Sequence, residues 1–186
     1  MKNNKLEIII QLIETDKKLT IHKLSQETGI SYKNVYDLVK NFQKENIITL
    51  EKLGNAYHIT INKKPTPIIY QAEYQRRKEL LEKSDFQILY QKLESLKFPF
   101  ITLLFGSQAQ KTANKKSDID LMIIAEENRH KEIDRVLSIL PLNIHPIFLT
   151  TEEFISMLRS TEFSVVQEAV KSNIILIGIE DYYRVQ

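Results

Sequence analysis

The chain has 186 residues, 42% of them hydrophobic and 27% charged, with a net charge of +2, far below the basic balance of a dedicated nucleic-acid binder. It has no cysteine, which excludes disulfides and thiolate metal sites, and no apolar run approaches the ~20 residues that span a bilayer. The first residues lack the pattern of a signal peptide, so we expect a cytoplasmic protein with no membrane partner.

The first 62 residues predict three helices followed by a β-hairpin. A short second helix lies between Thr20 and Gly29, and Ser31 is a natural N-cap for the third helix. Residues 47–50 and 57–61 alternate as strands around the turn Gly54-Asn55. Apolar residues at helical spacing predict the buried faces, namely Leu6, Ile9, Ile10 and Ile13 in the first helix and Val35, Leu38, Val39 and Phe42 in the third.

This order of elements, with its glycine turn in residues 21–31 (IHKLSQETGIS), resembles the winged helix-turn-helix of bacterial and archaeal regulators over roughly residues 5–62. The resemblance implies that the third helix enters the major groove of DNA, and half-site recognition usually requires a homodimer. Because Asn pairs with adenine and Lys reaches phosphate or guanine, we expect DNA contacts from the outward residues of that helix and from the wing tip. They are Tyr32, Lys33, Asn34, Tyr36 and Lys40 on the helix, with Lys52 and Asn55 on the wing.

A protein-binding role is the alternative for this domain. Residues 1–62 hold nine Lys or Arg against seven Asp or Glu, and residues 63–186 hold seventeen of each. The positive surplus therefore lies in the first third of the chain. It fits only a modest nucleic-acid footprint, and winged helices also serve as protein–protein modules.

Residues 62–67 (NKKPTP) interrupt the periodic pattern and predict a domain boundary. The prediction is a first domain at 1–62, a linker and connecting helix at 63–85, and a second domain at 86–186. Strand-like runs at 100–105, 121–125, 142–149 and 174–177 alternate with helix-like segments, including 151–159 and 163–171. This pattern predicts an α+β fold, with a small mixed sheet and flanking helices in the second domain.

The most specific motif is Gly106-Ser107 after an apolar strand, followed by Ser117-Asp118-Ile119-Asp120. Strand side chains alternate, so Asp118 and Asp120 point to one face and can share a Mg²⁺ or Mn²⁺ ion. Glycine lets a phosphate approach the backbone, the serine hydroxyl can donate to it, and a helix N-terminus favours its charge. Lys111, Lys115 and Lys116 are available to a triphosphate.

This arrangement resembles the minimal nucleotidyltransferases of the DNA polymerase β-like superfamily, over roughly residues 86–183. The resemblance implies that Gly106 and Ser107 hold a nucleoside triphosphate, with ATP as the expected nucleotide, and that Asp118 and Asp120 ligate metal. In that family a hydroxyl attacks the α-phosphate and pyrophosphate leaves.

Two features depart from the family pattern. The strand expected to carry a third acid, 142–149, has no Asp or Glu, and Asn143 and His145 are its only polar candidates on one face. His145 can act as a base or a ligand, although imidazole suits transition metals better than Mg²⁺. Pro146 predicts an edge strand or a bulge, and Glu152 and Glu153 fit a helix start. Family members commonly have Gly where this chain has Lys111, so positive φ is not expected there.

Two functions follow from these observations. The first is a metal-dependent transferase that moves a nucleotidyl group to a protein, RNA or small-molecule hydroxyl, with a DNA-binding domain that targets it or regulates its operon. The second is a DNA-binding regulator or antitoxin whose degenerate nucleotidyltransferase domain binds nucleotide or a partner such as a toxin. The intact Ser-Asp-x-Asp supports the first function, and the missing third acid supports the second.

Overall fold

The computed structural model describes residues 3–15, 18–54, 56–62, 64–114, 117–160 and 164–185. Two compact units are present, residues 1–73 and 74–186, and the division falls within the helix Pro67–Leu80. In the described ranges, no helix has both the length and the apolar character needed to cross a membrane.

Unit 1 combines helices with a small antiparallel sheet. Strand β3 is central, flanked by β1 and β2, and a six-residue register pairs β2 with β3. The elements are α1 (Asn4–Glu14), β1 (Leu19–Thr20), α2 (Ile21–Thr28), α3 (Tyr32–Lys44), β2 (Ile48–Leu53) and β3 (Ala56–Ile61), followed by the start of α4 (Pro67–Leu80).

Local chemistry sets the bounds of these helices. The Thr20 hydroxyl accepts a hydrogen bond from Lys23 N at the start of α2, and Gly29 ends α2 at φ +69°. Ser31 occupies the N-cap position of α3, but its side chain makes no capping hydrogen bond.

The buried faces differ in part from the sequence pattern. Val35, Val39 and Phe42 of α3 are buried as predicted, whereas Leu38 is half-buried. In α1, Ile9 is buried as predicted, and Leu6, Ile10 and Ile13 are half-buried. The fully buried residues also include Ile8 and Leu12, which the spacing did not predict.

Unit 2 is built on a four-stranded mixed sheet of order β6-β5-β4-β7, which confirms the predicted mixed sheet. Strand β4 pairs antiparallel with β5 and β7, while β5 and β6 are parallel. Strand β6 lies at the sheet edge, as Pro146 predicted. The elements after α4 are α5 (Ser84–Glu94), β4 (Ile101–Phe105), α6 (Gly106–Ala109), β5 (Ile119–Ile124), α7 (Glu127–Ser138), β6 (Ile144–Leu149), α8 (Thr151–Arg159), α9 (Val165–Lys171), β7 (Ile174–Ile177) and α10 (Ile179–Val185).

The main core of unit 2 lies between the sheet and helices α5 and α7. Ile119, Leu121 and Ile123 of β5 pack there with apolar residues of both helices. Because side chains alternate along a strand, Asp120 points to the opposite face of the sheet. The fold therefore directs a carboxylate away from the apolar core at the start of β5.

Candidate functional site

Gly106 forms the junction between β4 and the one-turn helix α6. Its φ is +66°, a conformation that L side chains rarely adopt. A Cβ at this position would also lie under 3.0 Å from Asp120 Oδ2. Both the backbone conformation and the neighbouring carboxylate therefore favour glycine at this position. Helix α6 has only four residues, so its dipole adds less to phosphate binding than the sequence suggested.

The two aspartates lie at the end of the sheet beside this junction. Asp118 immediately precedes β5, and Asp120 pairs with Phe105 of β4, the residue before Gly106. The Gly-Ser turn and the Asp-x-Asp motif, ten residues apart in the chain, are thereby brought together.

His145 and Asn143 occupy the position where a third acid was sought. His145 is the register partner of Asp120 in the parallel β5–β6 pairing. Its Nδ1 lies 3.6 Å from Asp118 Oδ2 and 3.9 Å from Asp120 Oδ1. Asn143 Nδ2 donates a hydrogen bond to Asp118 Oδ1, and its carbonyl accepts one from Ile119 N. His145 of β6 and Asn143, the residue before β6, thus lie directly against the aspartate pair.

Burial raises the pKa of Asp120 above its ordinary value. Loss of hydration is the largest cause, the nearby imidazole of His145 lowers the pKa, and the carboxylate of Asp118 raises it. A divalent cation between the carboxylates would offset both the lost hydration of Asp120 and its repulsion by Asp118. Carboxylate oxygens from Asp118 and Asp120 are donors that fit Mg²⁺ or Mn²⁺. The described part of the chain contains no group of three or more His, Cys, Asp or Glu residues arranged to hold a metal ion.

The segment after α6 turns back onto the Gly-Ser motif. Ser107 O accepts hydrogen bonds from Thr112 N and Ala113 N, at 3.0 and 3.1 Å. Lys111 adopts φ +60°, so the expectation that it would avoid positive φ was wrong. The chain must reverse at the end of α6, and a left-handed residue makes that reversal possible without glycine. Lys115 and Lys116 lie outside the described residues, as does Asn55 of the hairpin.

Two other groups of residues have structural roles. Glu153 forms a capping box with Thr150 at the start of α8, which confirms the helix start predicted for it. Tyr182 and Tyr183 are buried and pack edge to face at 5.4 Å between ring centroids.

A cavity of about 350 Å³ opens on the other side of the same sheet end. Gln108 and Asn143 belong to its lining and connect it to the site, because Asn143 also contacts Asp118. The remaining lining residues are Lys83, Asp85, Phe86, Asn114, Ser117, Ile119, Pro141 and Leu142. They come from separated segments, and no local pattern in the sequence indicates that they meet.

In unit 1, most of the residues predicted to contact DNA are exposed. Five of them are exposed, namely Tyr32, Lys33, Asn34, Tyr36 and Lys52, while Lys40 is half-buried. Lys40 Nζ lies 5.7 Å from the ring centroids of both Tyr36 and Tyr57. Tyr57 on β3 is a surface residue, and the sequence pattern indicates only that it belongs to a strand.

Comparison with known families adds one finding. The family model described as "Polymerase beta, Nucleotidyltransferase" matches residues 87–182, just over half of the chain. Searches of curated proteins and of solved structures found no match.

Proposed function

This chain belongs to the polymerase beta nucleotidyltransferase family, and from that membership we propose that unit 2 transfers a nucleoside monophosphate from a nucleoside triphosphate to a hydroxyl of a protein, RNA or small molecule. The observation that carries the proposal is the contact between Gly106 and Asp120, which joins a close-approach glycine to a pair of carboxylates. The family generally uses a nucleoside triphosphate and a divalent metal, and we propose ATP with Mg²⁺ or Mn²⁺.

The side chains have distinct roles in this proposal. Gly106 and Ser107 hold the triphosphate, helped by the charge of Lys111, and Asp118 and Asp120 ligate the metal. The metal, when bound, neutralises the negative charge that develops on the phosphates. The acceptor oxygen bonds to the α-phosphorus as the bond to the β-phosphate oxygen breaks, and pyrophosphate leaves. We assign to His145, which lies beside both carboxylates, the role of accepting the proton of the acceptor hydroxyl.

A labelling experiment tests this function. The protein is incubated with each α-labelled nucleoside triphosphate, Mg²⁺ or Mn²⁺, and proteins and RNA of its host. We expect label transfer that is lost in Asp118→Asn and Asp120→Asn and retained in Asp134→Asn, a matched change on the exposed surface of α7. His145→Ala should reduce transfer without reducing nucleotide binding. Transfer that persists in the Asp118 and Asp120 variants would contradict the assigned site.

One observation favours a second function. The register partner of Asp120 is a histidine and the residue bonded to Asp118 is an asparagine, so no carboxylate faces the pair from β6. A regulator or antitoxin that binds nucleotide, or a partner such as a toxin, needs no third acid. Metal-dependent ATP binding without label transfer to any acceptor would support this function over the enzyme.

We also propose that unit 1 is a winged helix-turn-helix that binds DNA, as a homodimer where the operator has two half-sites. Support comes from the order of its elements, the glycine turn and the polar outward face of α3. Binding to duplex DNA from its own promoter should weaken as salt rises. It should weaken further in the Lys33→Ala, Asn34→Ala double variant. Affinity that responds neither to salt nor to this variant would exclude groove reading by α3.

A further inference from the structure

Three exposed tyrosines in unit 1 form one continuous surface with a lysine. Tyr32 and Tyr36 of α3 lie with ring centroids 6.5 Å apart and ring planes inclined by 24°. Lys40, one turn further along α3, has its Nζ 5.7 Å from the ring centroids of Tyr36 and of Tyr57 on β3. We call Tyr32, Tyr36, Lys40 and Tyr57 the tyrosine face.

The rings of this face are open to solvent. Tyr32, Tyr36 and Tyr57 are 52%, 42% and 48% exposed. Contiguous exposed aromatic surface is typical of interaction sites, and tyrosines concentrate where one end of a contact is apolar and the other is wet. The tyrosine rings can stack with another flat ring system. The ammonium group of Lys40, which lies beside two of them, can contact an anion.

The charge around the face favours an anionic partner. Helix α3 carries three lysines and one aspartate, and Lys33 and Lys52 are exposed on the same unit. Lys52 is also the cross-strand partner of Tyr57. A ligand that supplies both ring faces and regularly spaced negative charge is a nucleic acid.

We propose that the tyrosine face binds single-stranded nucleic acid by stacking its unpaired bases on these rings. A duplex presents base edges in its grooves and keeps the base faces stacked inside, so rings on a protein surface can stack only on bases that are unpaired. This inference goes beyond the duplex binding proposed for unit 1 and assigns the same unit a second ligand, unpaired nucleic acid.

The test uses the full-length protein and three labelled probes. These are an oligothymidylate of about 12 nucleotides, within the site sizes of such binders, an abasic oligonucleotide of equal charge, and a duplex of equal length. Binding is followed by fluorescence anisotropy and by quenching of tyrosine emission, which is unmasked because the chain contains no tryptophan. Tyr36→Leu and Tyr57→Leu remove the ring and keep bulk, while Tyr36→Phe and Tyr57→Phe keep the ring.

We expect the oligothymidylate to bind and to quench tyrosine emission, and the abasic oligonucleotide to do neither. Each Leu variant should weaken binding about 5- to 150-fold, the range for loss of one stacked base, and each Phe variant should bind within about twofold of the parent protein. Equal affinity for the oligothymidylate and the abasic oligonucleotide would overturn the inference without reference to any variant.

The outcomes also separate this inference from the proposed binding of duplex DNA. Salt-dependent duplex binding with no binding of the oligothymidylate would overturn the inference and leave groove reading in place. Oligothymidylate binding that is lost in the Leu variants, with no duplex binding, would support the inference and exclude groove reading by α3.

Discussion

Gly106 is the residue whose conformation and side-chain size are both fixed by the candidate site. We expect Gly106→Ala to cost about 1–2 kcal/mol for a non-glycine residue in the left-handed region. It should also displace the Asp120 carboxylate, which lies where the new methyl group would stand. Stability is measured by urea unfolding and metal binding by the electron paramagnetic resonance of Mn²⁺.

Gly29→Ala is the matched control for this change. Gly29 has φ +69°, and an added Cβ there meets nothing within 4 Å. The Gly29→Ala variant should lose a similar amount of stability, because its backbone conformation is alike. It should keep the Mn²⁺ affinity of the parent protein. Equal loss of Mn²⁺ binding in both variants would show that a general loss of stability, and not contact with Asp120, explains the effect.

His145 stands at the position where a site with three carboxylates would have its third acid. His145→Asp places a third acid at the register position opposite Asp120. Without metal, we expect a lower melting temperature, because three like charges then lie close together. With Mg²⁺, we expect affinity to rise about tenfold or more, since a hard cation prefers carboxylate oxygen to imidazole.

His145→Asn provides the neutral comparison for that experiment. It removes the imidazole without adding charge, so its Mg²⁺-dependent change in melting temperature should not exceed that of the parent protein. An equal Mg²⁺ response in His145→Asp and His145→Asn would mean that this position does not face the metal.

At the scale of elements, the one-turn helix α6 depends on the residue that ends it. Lys111 combines positive φ with a charge that we assign to triphosphate binding. Lys111→Asn tests the charge alone, because Asn tolerates the left-handed region. We expect stability to be kept and the affinity for inorganic tripolyphosphate, measured by calorimetry, to fall about two- to fivefold.

Lys97→Asn removes an equivalent charge from an exposed position outside the described site. Tripolyphosphate affinity should be unchanged in this control at the same ionic strength. A similar fall in both variants would identify a general charge effect and would remove Lys111 from the proposed triphosphate site.

The sequence predicted the elements of unit 2 well because its signals there are local. An apolar run, a glycine and an Asp-x-Asp pair are each readable within a few residues, and the mixed sheet and the edge position of β6 were confirmed. The parallel register of β5 and β6 brings Asn143 and His145 against the aspartates. No local pattern in the sequence specifies that register.

Some features were missed because the local pattern is ambiguous or because they depend on another element. Six of the eight residues from Leu6 to Ile13 are apolar, so helical spacing alone could not choose the buried face of α1. Strand β1 has two residues and exists only through its pairing with β3. The neighbours of Lys40 include Tyr57 from another element, so the tyrosine face was not visible in the spacing of α3 alone.

At the scale of the whole molecule, the two proposed activities belong to different compact units. Each unit has its own sheet and its own buried residues, so each is expected to respond to its own ligand. The carboxylates and the Gly-Ser turn lie in residues 74–186, and the tyrosine face lies in residues 1–73.

Hydrogen exchange can test this division in the full-length chain, because a ligand slows exchange in the segments that it orders. We expect ATP with Mg²⁺ to protect α6, the start of β5 and the start of β6, and to leave α3 and β3 unchanged. Oligothymidylate should protect α3 and β3 and leave the strands of unit 2 unchanged. The Asp120→Asn variant should lose only the protection by ATP with Mg²⁺. The Tyr57→Leu variant should lose only the protection by oligothymidylate. Protection of α3 by ATP that disappears in Asp120→Asn would contradict independent units, because it would mean that the carboxylate site controls the nucleic-acid surface.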